Sequence, residues 1–171
     1  MTELSSAPVP PLAEDDHVRG PADFALVIEY ADFECPYCAA LSAKLAARSL
    51  RRVFRHFPVR SSHPRAWPAA CAAEAAGLQG RFWEMHDLLF DDQGRLEDPH
   101  LWQRASEVGL DLARFDSDRR SEQVIARVRR DFESGIRAGV VTTPTLWSGG
   151  VLHPGKVAES ALVELERGIR P

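Results

Sequence analysis

Two cysteines two residues apart, Cys35 and Cys38, carry the most legible chemistry of this chain. They stand in Asp32-Phe33-Glu34-Cys35-Pro36-Tyr37-Cys38. A stretch suited to a strand (residues 24–30) leads into them, and one suited to a helix (residues 39–47) leads out. Such a pair at a strand-to-helix junction predicts thiol–disulfide exchange, with metal ligation as the other chemistry open to it. Only a thiolate attacks a disulfide. Cys35 falls at the expected helix start, where unpaired N–H groups and the positive dipole end favour an anion, so it is the candidate nucleophile. Cys38, one turn further in and less accessible, is the candidate resolving thiol. Pro36 and Tyr37 set the poise between the two. Glu34 opposes a thiolate if it is close, so it is expected to face solvent without a catalytic role.

The elements that must hold this pair can be taken in order. Residues 1–20 are rich in proline and acids and read as a flexible tail that docks only near Val18. Residues 24–30 are nearly continuous in apolar character, as in a strand covered on both faces, with Glu29 as the interruption. Pro36 suits the first helical position. Residues 52–57, closed by Pro58, read as a second strand, which completes a parallel, right-handed βαβ unit. About 80 residues of helical pattern follow, in five segments near 66–78, 81–90, 98–109, 111–118 and 122–138, punctuated by Asp caps and glycines. Residues 140–147 return to strand character, Ser148-Gly149-Gly150 is a turn, residues 151–153 pair back as a hairpin, and residues 156–167 form a last helix.

The bulk numbers bound the reading. At 171 residues the chain fits one domain, and a net charge of −4 is too mild to imply nucleic acid or an acidic membrane surface. Three cysteines are too few for a disulfide scaffold. No apolar run is long enough for a membrane span. The first residues lack the character of a secretory signal, so a cytoplasmic location is the expectation.

This order of elements resembles the thioredoxin fold, and within it the DsbA-like family of thiol–disulfide oxidoreductases with their helical insertion. The strings that carry the resemblance are residues 27–38, Val53-Phe54-Arg55-His56-Phe57-Pro58, residues 79–90, and Gly139-Val140-Val141-Thr142-Thr143-Pro144-Thr145. It implies an α/β fold, a central mixed sheet flanked by helices, with one domain over residues 21–171 and an inserted helical subdomain at about 61–139. It implies that Glu29 is a buried acid moving a proton to or from Cys38. It implies a cis-proline loop in which Thr143 and Pro144, with Pro36 and Tyr37, bind substrate. The expected partners are protein or peptide thiols and disulfides, with glutathione for a glutaredoxin-like alternative. No cofactor, nucleic acid or membrane is expected, and a monomer is the working expectation, a dimer being left open. A non-catalytic peptide-binding module is a second alternative. A zinc module would use Cys35, Cys38, Cys71 and a histidine, but lacks a second closely spaced ligand pair. Cys71 itself reads as a small buried apolar residue, and His56, His63 and His153 as structural or surface histidines.

Overall fold

The computed structural model describes residues 6–168. The sheet has five strands: β1 (His17–Arg19), β2 (Ala25–Ala31), β3 (Leu50–His56), β4 (Thr145–Ser148) and β5 (Val151–Pro154), in the order β1-β3-β2-β4-β5. β2 and β3 are parallel and every other pair is antiparallel. The mixed sheet is that of the thioredoxin fold. The crossover between β2 and β3 is α1 (Pro36–Ala46), which begins at the CxxC.

Between β3 and β4 lie α2 (Ala66–Gly77), α3 (Phe82–Asp91), α4 (Asp98–Val108), α5 (Leu112–Asp118) and α6 (Glu122–Arg137), and α7 (Glu159–Glu166) closes the chain. Asp111 and Ser121 cap α5 and α6 through their side chains, which accept from Arg114 N and Val124 N. Alanines allow α2 to lie close against its neighbours, and nine of its residues are buried. No helix among the described residues is long and apolar enough to cross a membrane.

The strand expected over 140–147 is shorter than the pattern suggested. Residues 140–144 form a loop and pairing begins at Thr145, because Pro144 has no N–H to give to a ladder. A larger difference concerns the expected tail. Residues 1–5 of it lie outside the described residues. From residue 6 the chain is laid on the sheet: Ala7 N–H donates to Arg137 O at 2.8 Å, and Val9 and Leu12 pack with Ile28, Tyr30 and Val53. Arg55 secures it. Its guanidinium, buried within β3, donates to Pro10 O and Pro11 O at 2.8 and 2.9 Å and pairs with Asp16.

The two faces of β2 divide the core. Val27 faces α1 and α7 with Leu41, Leu45 and Leu162. Ile28 and Tyr30 face α6 with Phe57 and Phe132. There α6 approaches so closely that a Cβ at Gly135 would sit 2.7 Å from the Phe57 ring and 3.0 Å from that of Tyr30. Gly135→Ala therefore tests this packing. Alanine gains up to about 1 kcal/mol in helix propensity, yet overpacking costs about 1–3 kcal/mol. The expected outcome of urea unfolding is a net loss of stability, and a gain would show that the rings yield freely.

Candidate active site

The CxxC opens α1 with little freedom. Cys35 is the N-cap residue, extended at φ −81° and ψ 119°, and Pro36 follows at the first helical position. Cys35 N–H donates to Asp32 O at 3.1 Å, and Cys35 O accepts from Cys38 N and Ala39 N, starting the helix. Both cysteines are free thiols. Cys35 is 3% exposed and Cys38 fully buried, while Tyr37 between them is 65% exposed.

The two thiols are driven apart in acidity. A hydrogen bond from the Cys38 thiol, with the backbone N–H groups of Cys38 and Tyr37, lowers the Cys35 pKa to about 6 against the opposing cost of burial. Cys38 moves up: burial comes first, then its place as donor to Cys35 and the like charge of Cys35. Glu29 adds to that rise from the same face of β2. Its carboxyl is buried and its own pKa is raised by that burial, although Arg52 works against the rise. Arg52 pairs with one Glu29 oxygen at 3.3 Å and donates to Ser42 Oγ, also at 3.3 Å, while Glu29 Oε1 has no partner.

Across the site lies the loop before β4. Cys35 Sγ donates to Thr143 O at 3.5 Å, and the Thr143–Pro144 peptide bond is cis. Gly155 N–H holds Pro144 O at 2.7 Å. Beside this loop an apolar hollow of about 260 Å³ runs between Tyr37, Ala40 and Leu41 on one side and Lys156 and Val157 on the other, with Lys44 at its margin. Thr143, Pro144, Pro36, Tyr37 and the two thiols are thus brought together, with Glu29 beneath.

Three residues that sequence reasoning missed or misplaced hold the turn before Cys35. Asp32 is a buried hub: it accepts from Glu34 N at 2.7 Å, from Val59 N at 2.8 Å, and is 2.8 Å from His63 Nδ1. Glu34 does not face solvent as expected. Its carboxylate is drawn onto Arg65, accepting from the backbone N–H at 2.7 Å and from Nε at 2.8 Å. Gln93, from the loop after α3, donates to Phe33 O and Cys35 O. The Asp32–Glu34 contact is a local Asx-type turn that the sequence could have revealed. The others span about 30 to 60 residues and leave no local signal.

The remaining candidates fall elsewhere. Cys71 packs with Ala70, Val124 and Val128, in a cluster separate from that of Cys35 and Cys38, so the cysteine set of the zinc reading does not assemble. His56 and His17 both reach Glu74 Oε1, at 2.7 and 2.6 Å, which ties β3 and β1 to α2. Burial pushes the Glu74 carboxyl up, but the two imidazoles outweigh it and hold it well below the usual carboxylate range. These are hydrogen-bond separations, and the Arg127 guanidinium stands 3.9 Å from the same oxygen, which disfavours a cation there. His153 lies in β5 opposite Leu146.

Comparison with known proteins accords with this geometry. The family model described as Thioredoxin matches residues 13–165. Among curated proteins, the chain is similar to a Na(+)/H(+) antiporter NhaA 1 of Mycolicibacterium vanbaalenii, 42% identical over 173 residues, covering 95% of this chain and 28% of that protein. The chain thus spans about a quarter of the length of the curated relatives it matches. Among solved structures, a thioredoxin-like oxidoreductase from Silicibacter pomeroyi is 28% identical with a TM-score of 0.79, covering 90% of this chain and 91% of that one. BdbD from Bacillus subtilis superimposes with a TM-score of 0.80 at 17% identity, over 97% of this chain and 99% of that one.

The split acidity has a direct test. Thiolate absorbance of the reduced protein is expected to titrate with a midpoint near pH 6, with alkylation confined to Cys35. Since folding lowers this pKa from 9.0, the reduced protein gains stability between about pH 6 and 9 and loses that gain as pH falls through 6. A single midpoint at the ordinary thiol value overturns this account of the site.

Proposed function

This chain belongs to the thioredoxin family, and on that premise we propose that it is a DsbA-like thiol–disulfide oxidoreductase working through Cys35 and Cys38. The observation that carries the proposal is the placing of Cys35 at the N-cap of α1, against Thr143 O, with Cys38 buried one turn further in, an arrangement that lowers the first thiol's pKa to about 6 and raises the second's. A low pKa makes Cys35 an anion at neutral pH, and so both an available nucleophile and a good leaving group. It also stabilises the dithiol, which makes the Cys35–Cys38 disulfide the more oxidising partner and favours its donation to substrate thiols.

In that direction a substrate thiolate attacks Cys35 Sγ of the disulfide. The Cys35–Cys38 bond breaks, and Cys38 leaves and takes a proton. Glu29, whose carboxyl burial pushes toward holding its proton against the pull of Arg52, serves as the donor and is recharged from solvent. A second substrate thiolate then attacks the substrate sulfur of the mixed disulfide. Cys35 leaves as a thiolate, and the substrate has lost two electrons to the protein. The reverse sequence reduces a disulfide with the same atoms.

Substrate is taken to lie extended along Thr143 and Pro144, where backbone groups can pair with it as with an added strand. Its approach displaces the Cys35 contact to Thr143 O. The hollow beside Tyr37 supports an apolar side chain next to the reacting cysteine. Protein or peptide thiols and disulfides are the proposed partners.

Exchange with a disulfide-bonded peptide tests the assignment. Cys35→Ser is expected to abolish turnover. Cys38→Ser is expected to accumulate the mixed disulfide, with turnover down roughly 10²-fold or more. Glu29→Gln, which cannot carry the proton, is expected to slow the Cys38 step on the order of 10²-fold. Full turnover in Cys38→Ser points to a one-cysteine, glutaredoxin-like reductase of glutathione mixed disulfides and overturns the two-cysteine mechanism. Absence of exchange by the unaltered protein, with peptide binding kept in Cys35→Ser, points to a peptide-binding module.

A further inference from the structure

The helical insertion touches the nucleophile's own backbone at one place. Gln93 lies in the loop between α3 and α4, and its side-chain amide donates to Phe33 O at 2.7 Å and to Cys35 O at 2.9 Å. These two carbonyls bracket the turn that delivers Cys35. Phe33 is 1% exposed, so its carbonyl is poorly placed for water and needs a protein donor, while Cys35 O takes the amide in addition to the helix N–H groups it already accepts. Both protons of one amide are used, on two carbonyls two residues apart. A single-donor side chain cannot reproduce that contact.

The loop that carries Gln93 is itself fixed. Arg104, buried on α4, donates to Leu88 O at 3.1 Å and to Asp92 O at 2.7 Å, and also to Arg95 O. Leu96 anchors the loop in the same core cluster as Cys35, Cys38 and Phe33. From the other side Arg65, already bound to Glu34, donates to Gly94 O at 3.2 Å and to Glu97 at 2.9 Å. Gln93 is therefore presented to the Cys35 turn from a frame clamped on both flanks. It is not a surface side chain that happens to fold over.

We propose that Gln93 is a positioning residue for the exchange reaction: its amide fixes the Phe33–Cys35 turn so that the first N–H groups of α1 and the Cys38 thiol stay aimed at Cys35 Sγ. The proposal rests on the thiol–disulfide reading above. Its physical basis is that Cys35 O is the first acceptor of α1, bonding Cys38 N and Ala39 N at 3.1 and 3.2 Å. Where Cys35 O points determines where those N–H groups sit. Donors to an anion lose most of their effect with small misalignment, so a site of this kind depends on the residues that lock its ligands in place. The insertion thereby helps set the reactivity of the thiol besides covering the site.

The test is the Cys35 titration midpoint in variants of the whole chain, followed by thiolate absorbance and by the reduction potential against glutathione. Gln93→Met keeps length and packing but has no donor. It is expected to raise the midpoint by about one pH unit and to make the pair more reducing. Gln93→Glu, which sets a carboxylate against two carbonyl oxygens, is expected to raise it further and offers a second folded variant should one fail. Gln79→Ala is the control. Gln79 clamps Asp111 through the same kind of side-chain-to-backbone bonds, away from the cysteines. That variant is expected to lower the melting temperature and leave the midpoint in place. A midpoint unchanged in Gln93→Met while the melting temperature falls overturns the proposal and leaves Gln93 a stabilising contact only. An ordinary thiol midpoint in the unaltered protein instead overturns the functional reading on which it rests.

Discussion

A sulfur favoured as its anion at a nearly closed helix start is the constraint around which this protein is arranged. Cys35 is almost buried, and burial by itself favours the neutral thiol. No lysine or arginine is among the groups that lower its pKa. They are a thiol, the Thr143 side chain and backbone N–H groups, which stabilise charge only when they are aimed. A formal cation placed there would also stabilise the thiolate, but it would carry its own desolvation cost. Neutral donors avoid that cost and require geometric precision in its place. The chain meets this requirement with a proline that fixes the first helical residue and with contacts that immobilise the turn before it.

Those contacts come from segments far apart in sequence, and they converge on residues 32–35. Asp32 gathers Val59 N and His63 from the loop after β3, and Glu34 gathers Arg65 at the start of α2. Gln93 enters from the α3–α4 loop, and Thr143 O closes the far side. The helical block between β3 and β4 thus contributes to the site at both its entrance and its middle. The acids next to the nucleophile are not a liability in this arrangement. Asp32 is spent on two N–H groups and an imidazole, and Glu34 on an arginine, so their charge is drawn away from the sulfur.

Much of this was legible in the sequence, for identifiable reasons. The CxxC, Pro36 at the helix start and the five helices of the insertion are local features, written in spacing, caps and glycines. Thr143-Pro144 and Glu29 were reached only through the family resemblance, since neither has a local signature of function. What escaped was tertiary. Glu34 read as a solvent-facing charge because a carboxylate close to Cys35 would oppose its thiolate; its partner is 31 residues away. Residues 6–16 read as a tail because prolines and acids suggest one, yet Arg55 binds the carbonyls that those prolines leave free. Gln93, between two aspartates and a glycine, had the look of an ordinary loop.

The arginine bias, unremarkable in composition, gains a meaning from these contacts. All but two of the 21 basic residues are arginine. Arg55, Arg65 and Arg104 each bridge several acceptors on different segments, and Arg55 and Arg104 do so while buried. A planar fork with five donors can satisfy backbone carbonyls of separate loops at once, whereas an ammonium on a flexible stem holds them with less geometric definition. A fold that must fix loops around a sulfur to within a fraction of an ångström is better served by the first. The two lysines, Lys44 and Lys156, stand instead at the hollow beside Tyr37, Lys44 within 3.8 Å of a Glu159 oxygen. Arg55, Arg65 and Arg104 thus hold loops of the frame around the thiol, and the two lysines border the surface next to it.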